Sequence, residues 1–467
     1  MPLDAVKLPP DASPDHPLMV RRMALQILST VDRQRQTLDA ILEDFRQKRP
    51  LLRQRDRALL QAIVFGVLRW RGRLDFVIGS FSRTPLDKIQ PDILTILRIA
   101  LFQVMFLDRI PVSAAVNTAV ELAKPLAPEW VVRFVNAVLR KAAAGHKKIG
   151  YPVLEKDPVA ALAAAKSFAP WMVRRWLERF GPDETAALCD AVNTIPPVTL
   201  RTNTLKIERT QLLQELAGEG QTVQPAVLAP DGLLLRHLQQ PIEELEAFKR
   251  GFIQVQDEAA QLVTILLDPR PGETVLDACA GLGGKTAHMA QSMQNSGTIT
   301  ALDVNAAKLT RLAADMSRLG ISIVRPVALD LSGDRWPDGL GPFDRILLDA
   351  PCSGLGVLRR NPDAKWLVKE TVLAGYGRRQ AEFLDRLAAR VKPGGVLVYA
   401  VCSSEPEEGA AVVTAFLEKH PNYRLENAAD YLPLLEDRPL TRDGFLETFP
   451  HRHGTDGFFS ARLRCRP

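Results

Sequence analysis

The chain has 467 residues, with 60 Lys and Arg against 54 Asp and Glu, a net charge of +6 and a pI near 9.1. That length excludes a single small module and implies roughly two to four domains, and the slight basic excess fits a polyanion partner without singling one out. The five cysteines (Cys189, Cys279, Cys352, Cys402, Cys465) are odd in number and lack metal-ligand spacing, which argues against a disulfide framework or a metal and for reduced thiols in a cytoplasm.

Residues 1–17 are rich in Pro and Asp and read as disordered, with no signal pattern. From Val20 to about Ala144 apolar residues recur at helical spacing, as in Met23, Ala24, Ile27, Leu28 and Val31. The run Ile93–Leu107 is apolar nearly all round, which marks the central helix of a bundle, with Asp92 as its cap. Arg98 and Gln103 inside it, and its length, exclude a membrane span. A soluble cytoplasmic protein is expected, and nothing calls for more than a monomer. Basic clusters at Arg53, Arg55 and Arg57, at Arg69, Arg71 and Arg73, and at Arg133, Arg140, Lys141, Lys147 and Lys148 read either as solvated helix faces or as a phosphate-binding surface.

Residues 145–165 read as a linker. Helical stretches at Pro170–Phe180 and Glu184–Ala191, a strand from Val198 to Leu205 and further short strands suggest a small α/β segment. From Gly272 onwards strands alternate with helices, near 273–278, 298–303, 323–329, 344–349 and 395–401, the pattern of a mostly parallel doubly wound sheet. The last strands fall near 423–427 and 457–463. The domain expectation is a helical domain over 18–145, a linker and small α/β subdomain over 146–255, and a Rossmann-like domain over 256–467.

Chemistry concentrates at the strand ends of the last domain, where open α/β sheets bind ligands. The first strand runs into Cys279-Ala280-Gly281-Leu282-Gly283-Gly284-Lys285, a glycine loop that lets backbone approach a ligand and opens a helix. Asp277, Asp303, Asp330 and Asp349 stand at the ends of four successive strands. Each alone could cap a helix. Together they form an acidic rim that repels a pyrophosphate and attracts a sulfonium and an amine, so S-adenosyl-L-methionine is expected rather than a dinucleotide. Cys352 and Cys402 also follow strand ends, each with serine after it, where a thiolate can be exposed. A pyrimidine C5 is too poor a nucleophile to accept a methyl group until a thiolate adds at C6.

The stretches Asp349-Ala350-Pro351-Cys352-Ser353, Val401-Cys402-Ser403, Gly283-Gly284-Lys285-Thr286 and Arg359-Arg360-Asn361-Pro362-Asp363-Ala364-Lys365-Trp366 resemble the RNA cytosine-C5 methyltransferases of the NOL/NOP/Sun class. Ala114-Ala115-Val116-Asn117 and Phe134-Val135-Asn136-Ala137-Val138-Leu139-Arg140 are similar to a NusB-type RNA-binding domain. The resemblance implies catalytic roles for Cys402 as nucleophile, for Cys352 in proton removal and release, and for Asp349 and Lys285 against the cytosine. It implies S-adenosyl-L-methionine bound by Cys279, Ala280, Gly281, Leu282, Gly283, Gly284, Lys285, Asp303, Asp330 and Asp349, with Asp277 fixing the loop. It implies Arg201 and Asn203 on the RNA side, and small-subunit (16S) ribosomal RNA as the substrate. Arg359, Arg360, Lys365 and Trp366 are expected to meet the RNA backbone and stack on a base, with core packing the alternative for Trp366.

This chain departs from the family at two points. Gly281-Leu282 replaces the usual Ala-Pro, and Val401 the usual Thr, implying a looser loop and a nucleophile without a neighbouring hydroxyl. Transfer RNA as substrate, and a non-catalytic RNA-binding or ribosome-assembly factor on the same fold, are the rival readings.

Overall fold

The computed structural model describes residues 17–34, 36–48, 52–236, 238, 240–333, 336, 337, 339–432 and 439–467. The segment expected to be disordered lies outside these except for Pro17, which opens the first helix. The chain divides into two compact units, one of residues 1–193 with 361–368, the other of residues 194–360 with 369–467. No helix among the described residues is long and apolar enough to cross a membrane.

The first unit is all helical: Pro17–Gln34, Leu38–Lys48, Gln54–Phe81, Pro91–Phe106, Val112–Ala123, Glu129–Gly145, Pro158–Lys166 and Pro170–Asn193, with the short turn Ala364–Leu367. Helix Pro91–Phe106 is its centre: Ile96, Leu97, Ala100 and Leu101 are wholly buried, each Ile or Leu contributing about 1.5–3 kcal/mol. Its buried Arg98 is held in a two-point ion pair by Asp75, at 2.7 and 2.8 Å. Asp92 is not the cap. Gln90 takes that position ahead of Pro91, and Asp92 accepts from Ser29 Oγ at 2.8 Å and from Arg33 at 2.6 Å.

Residues 145–165 are also more than a linker. Asp157 caps helix Pro158–Lys166, and the following Ser167 accepts Gly72 N at 2.9 Å, so the helical unit runs on to Asn193. The last long helix breaks at Gly181, whose φ of 76° and ψ of 178° leave the helical region just before Pro182.

Segment Asn361–Val368 is built into this unit. Trp366 Nε1 donates to Leu68 O at 2.6 Å, and Leu38 N donates to Asp363 Oδ2 at 2.9 Å. Lys365 is wholly buried: its ammonium donates to Asn193 Oδ1 at 2.7 Å, Arg69 O at 3.2 Å and Ser167 O at 3.3 Å, and lies 3.7 Å from the Phe168 ring centroid. Burial pushes its pKa well down. The expectation that Lys365 and Trp366 reach RNA is therefore corrected, because their polar atoms are consumed inside the protein. The basic cluster at 69–73 is internal too: Arg69 is buried, Arg71 pairs with Asp32 at 2.6 Å, and Arg73 donates to the Tyr151 hydroxyl at 3.0 Å. The clusters at 53–57 and 140–148 keep exposed cations, Arg53, Arg55, Arg57, Arg140, Lys141, Lys147 and Lys148.

The second unit holds two sheets. The small one comprises β1 (Val198–Thr202), β2 (Thr222–Pro225), β3 (Gly232–Arg236) and β4 (Ile253–Val255), antiparallel in the order β2-β3-β1-β4. Glu208 and Gln211 form a capping box on its helix Arg209–Gly218. The large sheet contains β5 (Thr274–Asp277), β6 (Thr298–Asp303), β7 (Val324–Ala328), β8 (Phe343–Asp349), β9 (Val391–Val401), β10 (Tyr423–Glu426), β11 (Thr441–Arg442), β12 (Phe445–Thr448) and β13 (Phe458–Cys465). Its order is β11-β12-β13-β9-β8-β5-β6-β7, with β10 also on β13. Strands β5 to β9 are parallel and β13 runs antiparallel to β9. From Gly395 to Val401 every residue of β9 is buried, as its uninterrupted apolar run requires. Chain order reverses between β5 and β8, the place where such sheets bind ligands. β4, β11 and β12 are the strands the sequence pattern did not announce.

Packing in the helical unit gives a direct test. A Cβ on Gly66 would sit 2.0 Å from the buried Phe102 ring, whereas one on Gly79 would meet only a Leu86 methyl at 4.0 Å. Gly66→Ala is expected to lower stability by about 1–3 kcal/mol through overpacking. Gly79→Ala, on the exposed face of the same helix, is expected to raise it by up to about 1 kcal/mol through helix propensity. Denaturant midpoints of the full chain followed by helical signal would show the opposite shifts.

Candidate active site

The glycine loop leaves β5 and turns into helix Gly284–Ser292. Gly283 has φ +84°, and a Cβ there would press on Leu312 at 2.6 Å, so the turn admits only glycine. Below the loop Asp277 is buried and accepts from Thr286 Oγ1 at 2.6 Å. Its other oxygen has no hydrogen-bond partner, and burial pushes its pKa up to about 7, with Asp349 and Asp303 adding to the rise. Asp303 ends β6 with Oδ2 accepting Gly281 N at 2.9 Å and Oδ1 accepting Asn305 N at 2.8 Å. It does not cap the next helix. Asn305 does, accepting from Ala307 N and Lys308 N, which leaves Asp303 turned towards the loop.

Beside Asp303 stand two exposed apolar side chains, Val304 at 70% and Leu282 at 46% exposure. A carboxylate next to exposed apolar surface suits a ribose and an aromatic base, and the acidic surroundings suit a sulfonium. The residues present therefore fit S-adenosyl-L-methionine. Cys279 lies within the loop, where burial and three nearby carboxylates push its thiol pKa up, so it stays an inert thiol. Asp330 follows β7 and is exposed, its carboxylate held by Ser332; its charged neighbours are Arg386 and Arg379.

The thiols meet at the next two strand ends. β8 pairs with β9 in parallel, Leu348 opposite Tyr399 and Asp349 opposite Ala400. Cys352 and Cys402 follow these ends with their sulfurs 3.2 Å apart. The loop after Cys352 folds back at Gly356, whose N–H donates to Cys402 O at 3.0 Å. A Cβ on Gly356 would lie 1.9 Å from Gly457 O, so only glycine allows this approach. The hydrogen bond with Cys402 and burial hold the Cys352 thiol pKa well above its ordinary value, with the Glu408 charge adding to the effect. Lys285 donates to Asp349 Oδ2 at 2.7 Å and lies 5.2 Å from the Phe458 ring centroid. Burial opposes its charge, but Asp349 and then Cys402 more than offset that, so its pKa lies above the ordinary value.

Val401 is wholly buried in the apolar cluster with Leu276, Leu348 and Tyr399, whereas Cys402 flanks the other face of the sheet. Its side chain thus points away from the sulfur, as alternation along a strand requires.

Several expectations need correction. Arg201 and Asn203 are buried: Arg201 binds Gln256, Gln291 Oε1 at 3.2 Å and Gly284 O at 2.9 Å, and Asn203 donates to Gly251 O and Leu319 O. Arg201 braces the glycine-loop helix, and Asn203 the end of helix Ala306–Leu319, against the small sheet, and neither lines an RNA surface. Arg360 is held by Asp456 at 2.6 Å and Asp257 at 2.7 Å, and Arg359 donates to Gly454 O and Thr455 O, so both are structural. Sequence reasoning gave Thr286 no role of its own and missed Phe458, Gln380 and Glu408. The one signal for Glu408 was the acidic run Glu405-Pro406-Glu407-Glu408 that follows Cys402 and its serines.

Comparison with known proteins accords with this geometry. Residues 264–464 match the family model described as 16S rRNA methyltransferase RsmB/F, residues 19–144 the NusB family, and residues 168–242 the ferredoxin-like domain of RsmF/B-like methyltransferases. A Bacillus subtilis protein named "Probable ribosomal RNA small subunit methyltransferase B" is 36% identical over 450 residues, covering 95% of this chain and 98% of its own. Ribosomal RNA small subunit methyltransferase B of Pseudomonas putida is 35% identical, covering 88% of this chain and 91% of its own. The crystal structure of PH0851 superposes with a TM-score of 0.78 at 28% identity, covering 98% of this chain and 99% of that one. The fold is thus a NusB-type helical domain, a ferredoxin-like subdomain and a Rossmann-like methyltransferase domain whose methyl donor is S-adenosyl-L-methionine. The chain belongs to the RsmB/F family of methyltransferases.

The raised Asp277 pKa carries a pH signature. Folding holds the proton more tightly than the unfolded chain does between the ordinary value of 3.8 and about 7, so this group's contribution to stability falls as pH rises through that window and levels off above it. Measured without cofactor, the melting temperature of the parent relative to Asp277→Asn should therefore decline from about pH 4 to about pH 7. A pH-independent difference would exclude the buried protonated acid.

Proposed function

We propose that this protein methylates C5 of a cytosine in small-subunit ribosomal RNA through a covalent bond between Cys402 and C6 of the base. The observation that carries the reading is the pair of sulfurs 3.2 Å apart at neighbouring strand ends, beside the Lys285–Asp349 ion pair. The ribosomal RNA named for the curated relatives, and the NusB-type match, support the substrate class.

The base leaves its stack to enter the site. In this reading Asp349 and Lys285 contact its polar edge and hold its ring against the sulfurs. Cys402, as the thiolate, bonds to C6, and the Lys285 ammonium stabilises the negative charge before that bond forms. The adduct turns C5 into an enamine carbon. S-adenosyl-L-methionine, when bound, supplies an electrophilic methyl group, held by Asp303, Asp330 and the loop Cys279–Lys285. Once Cys402 is bonded to carbon it no longer shares a proton with Cys352, so the main cause of the raised Cys352 pKa is removed. Cys352 then gives its proton to solvent and, as the thiolate, takes the C5 proton; the C5–H electron pair becomes the C5–C6 double bond and the C6–S pair returns to Cys402.

Unmodified ribosomal RNA incubated with methyl-labelled cofactor tests the reading. The parent should transfer label to cytosine C5. Cys402→Ala should lose turnover by on the order of 1,000-fold or more and form no adduct, whereas Cys352→Ala should accumulate a covalent protein–RNA species on denaturing gels. An adduct formed by Cys402→Ala would reverse the two roles. Label on transfer RNA alone would overturn the substrate, and intact RNA binding without any transfer would favour an assembly factor.

A further inference from the structure

Six residues after Cys402 stands a buried acid that the chemistry above does not use. Glu408 is wholly buried, and among the described residues no Lys or Arg forms an ion pair with it. Its Oε1 accepts Ser353 N at 2.7 Å and Gln380 Nε2 at 3.3 Å. Its Oε2 accepts Ser403 Oγ at 2.7 Å and the Ser353 hydroxyl. The two hydroxyls lie 3.3 Å apart, and Gln380 also donates to Pro351 O at 3.0 Å. A buried carboxylate without a cation is expensive and persists only where several donors satisfy it. Here the donors come from the residue directly after each cysteine.

We propose that Glu408 is the positioning residue for both thiols, one carboxylate that ties the loop of Cys352 to the loop of Cys402 and so sets the distance between the sulfurs. Ser353 and Ser403 are its two arms, and Gln380 steadies it from helix Leu373–Ala388. The arrangement also separates the thiols electrically: the Glu408 carboxylate disfavours ionisation of Cys352, while the Lys285 ammonium interacts with Cys402. Parallel strands alone leave the loops beyond them free to splay. Glu408 closes them.

The inference rests on the cytosine reading for its catalytic consequence, but the sulfur separation can be read without turnover. The probe is the azodicarboxamide oxidant diamide, which takes two electrons and two protons from the thiols, giving a Cys352–Cys402 disulfide and the hydrazine. In the full-length parent this cross-link should form readily, as a loss of two hydrogens located by peptide mass spectrometry. Glu408→Gln, Ser403→Ala and Ser353→Ala should each slow it, and the double Ser353→Ala/Ser403→Ala variant should add little to Glu408→Gln. With ribosomal RNA, kcat should fall by roughly 100-fold for Glu408→Gln, the cost of a small misplacement of reacting groups, with KM for RNA unchanged. If Glu408→Gln fails to fold, the serine variants decide, since each keeps the acid and removes one arm. Parent-like cross-linking and kcat in the folded variants would overturn the proposal, as would lowered melting temperatures with unchanged cross-linking. A parent that cross-links readily yet methylates no cytosine would sink the cytosine reading and leave the positioning role standing.

Discussion

The parallel pairing of β8 with β9 is the constraint on which the site depends. Neighbouring strands lie about 4.8 Å apart, so residues at matching ends are brought together however far apart they are in the chain. Asp349 opposite Ala400 fixes the register, and both strands are buried on two faces. A slip of one residue would turn every side chain to the wrong layer, so the register cannot drift. That sheet brings the loops of the two cysteines side by side, and the Glu408 tie across those loops sets the separation of the sulfurs.

Charge then distinguishes what geometry makes nearly equivalent. Two thiols in contact compete for one proton, and their surroundings break the tie. Lys285 carries its ammonium into the glycine loop against Asp349, while Glu408 brings a carboxylate beneath the loop of Cys352. Glu408 is wholly buried and Lys285 largely so, and withdrawal from water strengthens each charge because it is less screened. The cofactor side is acidic in the same sense, with Asp277 below the loop and Asp303 across it, so the pocket favours a cation.

The fold was legible where one strand's own pattern sufficed. β6 begins at Thr298 and ends at Asp303, as its apolar run indicates, and β8 and β9 end where the polar loops begin. The strand-end acids, the glycine loop and the two thiols could be found because each stands beside such a run. What the sequence hid were partnerships between distant residues. Arg201 reads as an exposed cation until the glutamines and the Gly284 carbonyl that bury it are seen. Lys365 and Trp366 read as RNA-facing because nothing local reveals the cage of Leu68, Arg69, Ser167 and Asn193. Glu408 sits in an acidic run that looks like solvent-facing surface, and only tertiary folding gives it its serines.

The placement of Asn361–Val368 bears on how the protein comes into being. Its helical unit is finished by a stretch synthesised long after Asn193. Until the ribosome has released residue 368, the carbonyls of Arg69 and Ser167 lack the ammonium that joins them, and Leu68 lacks its indole donor. The N-terminal helices therefore emerge first but reach their final packing only once most of the following domain has been made, so the two halves mature together rather than in succession.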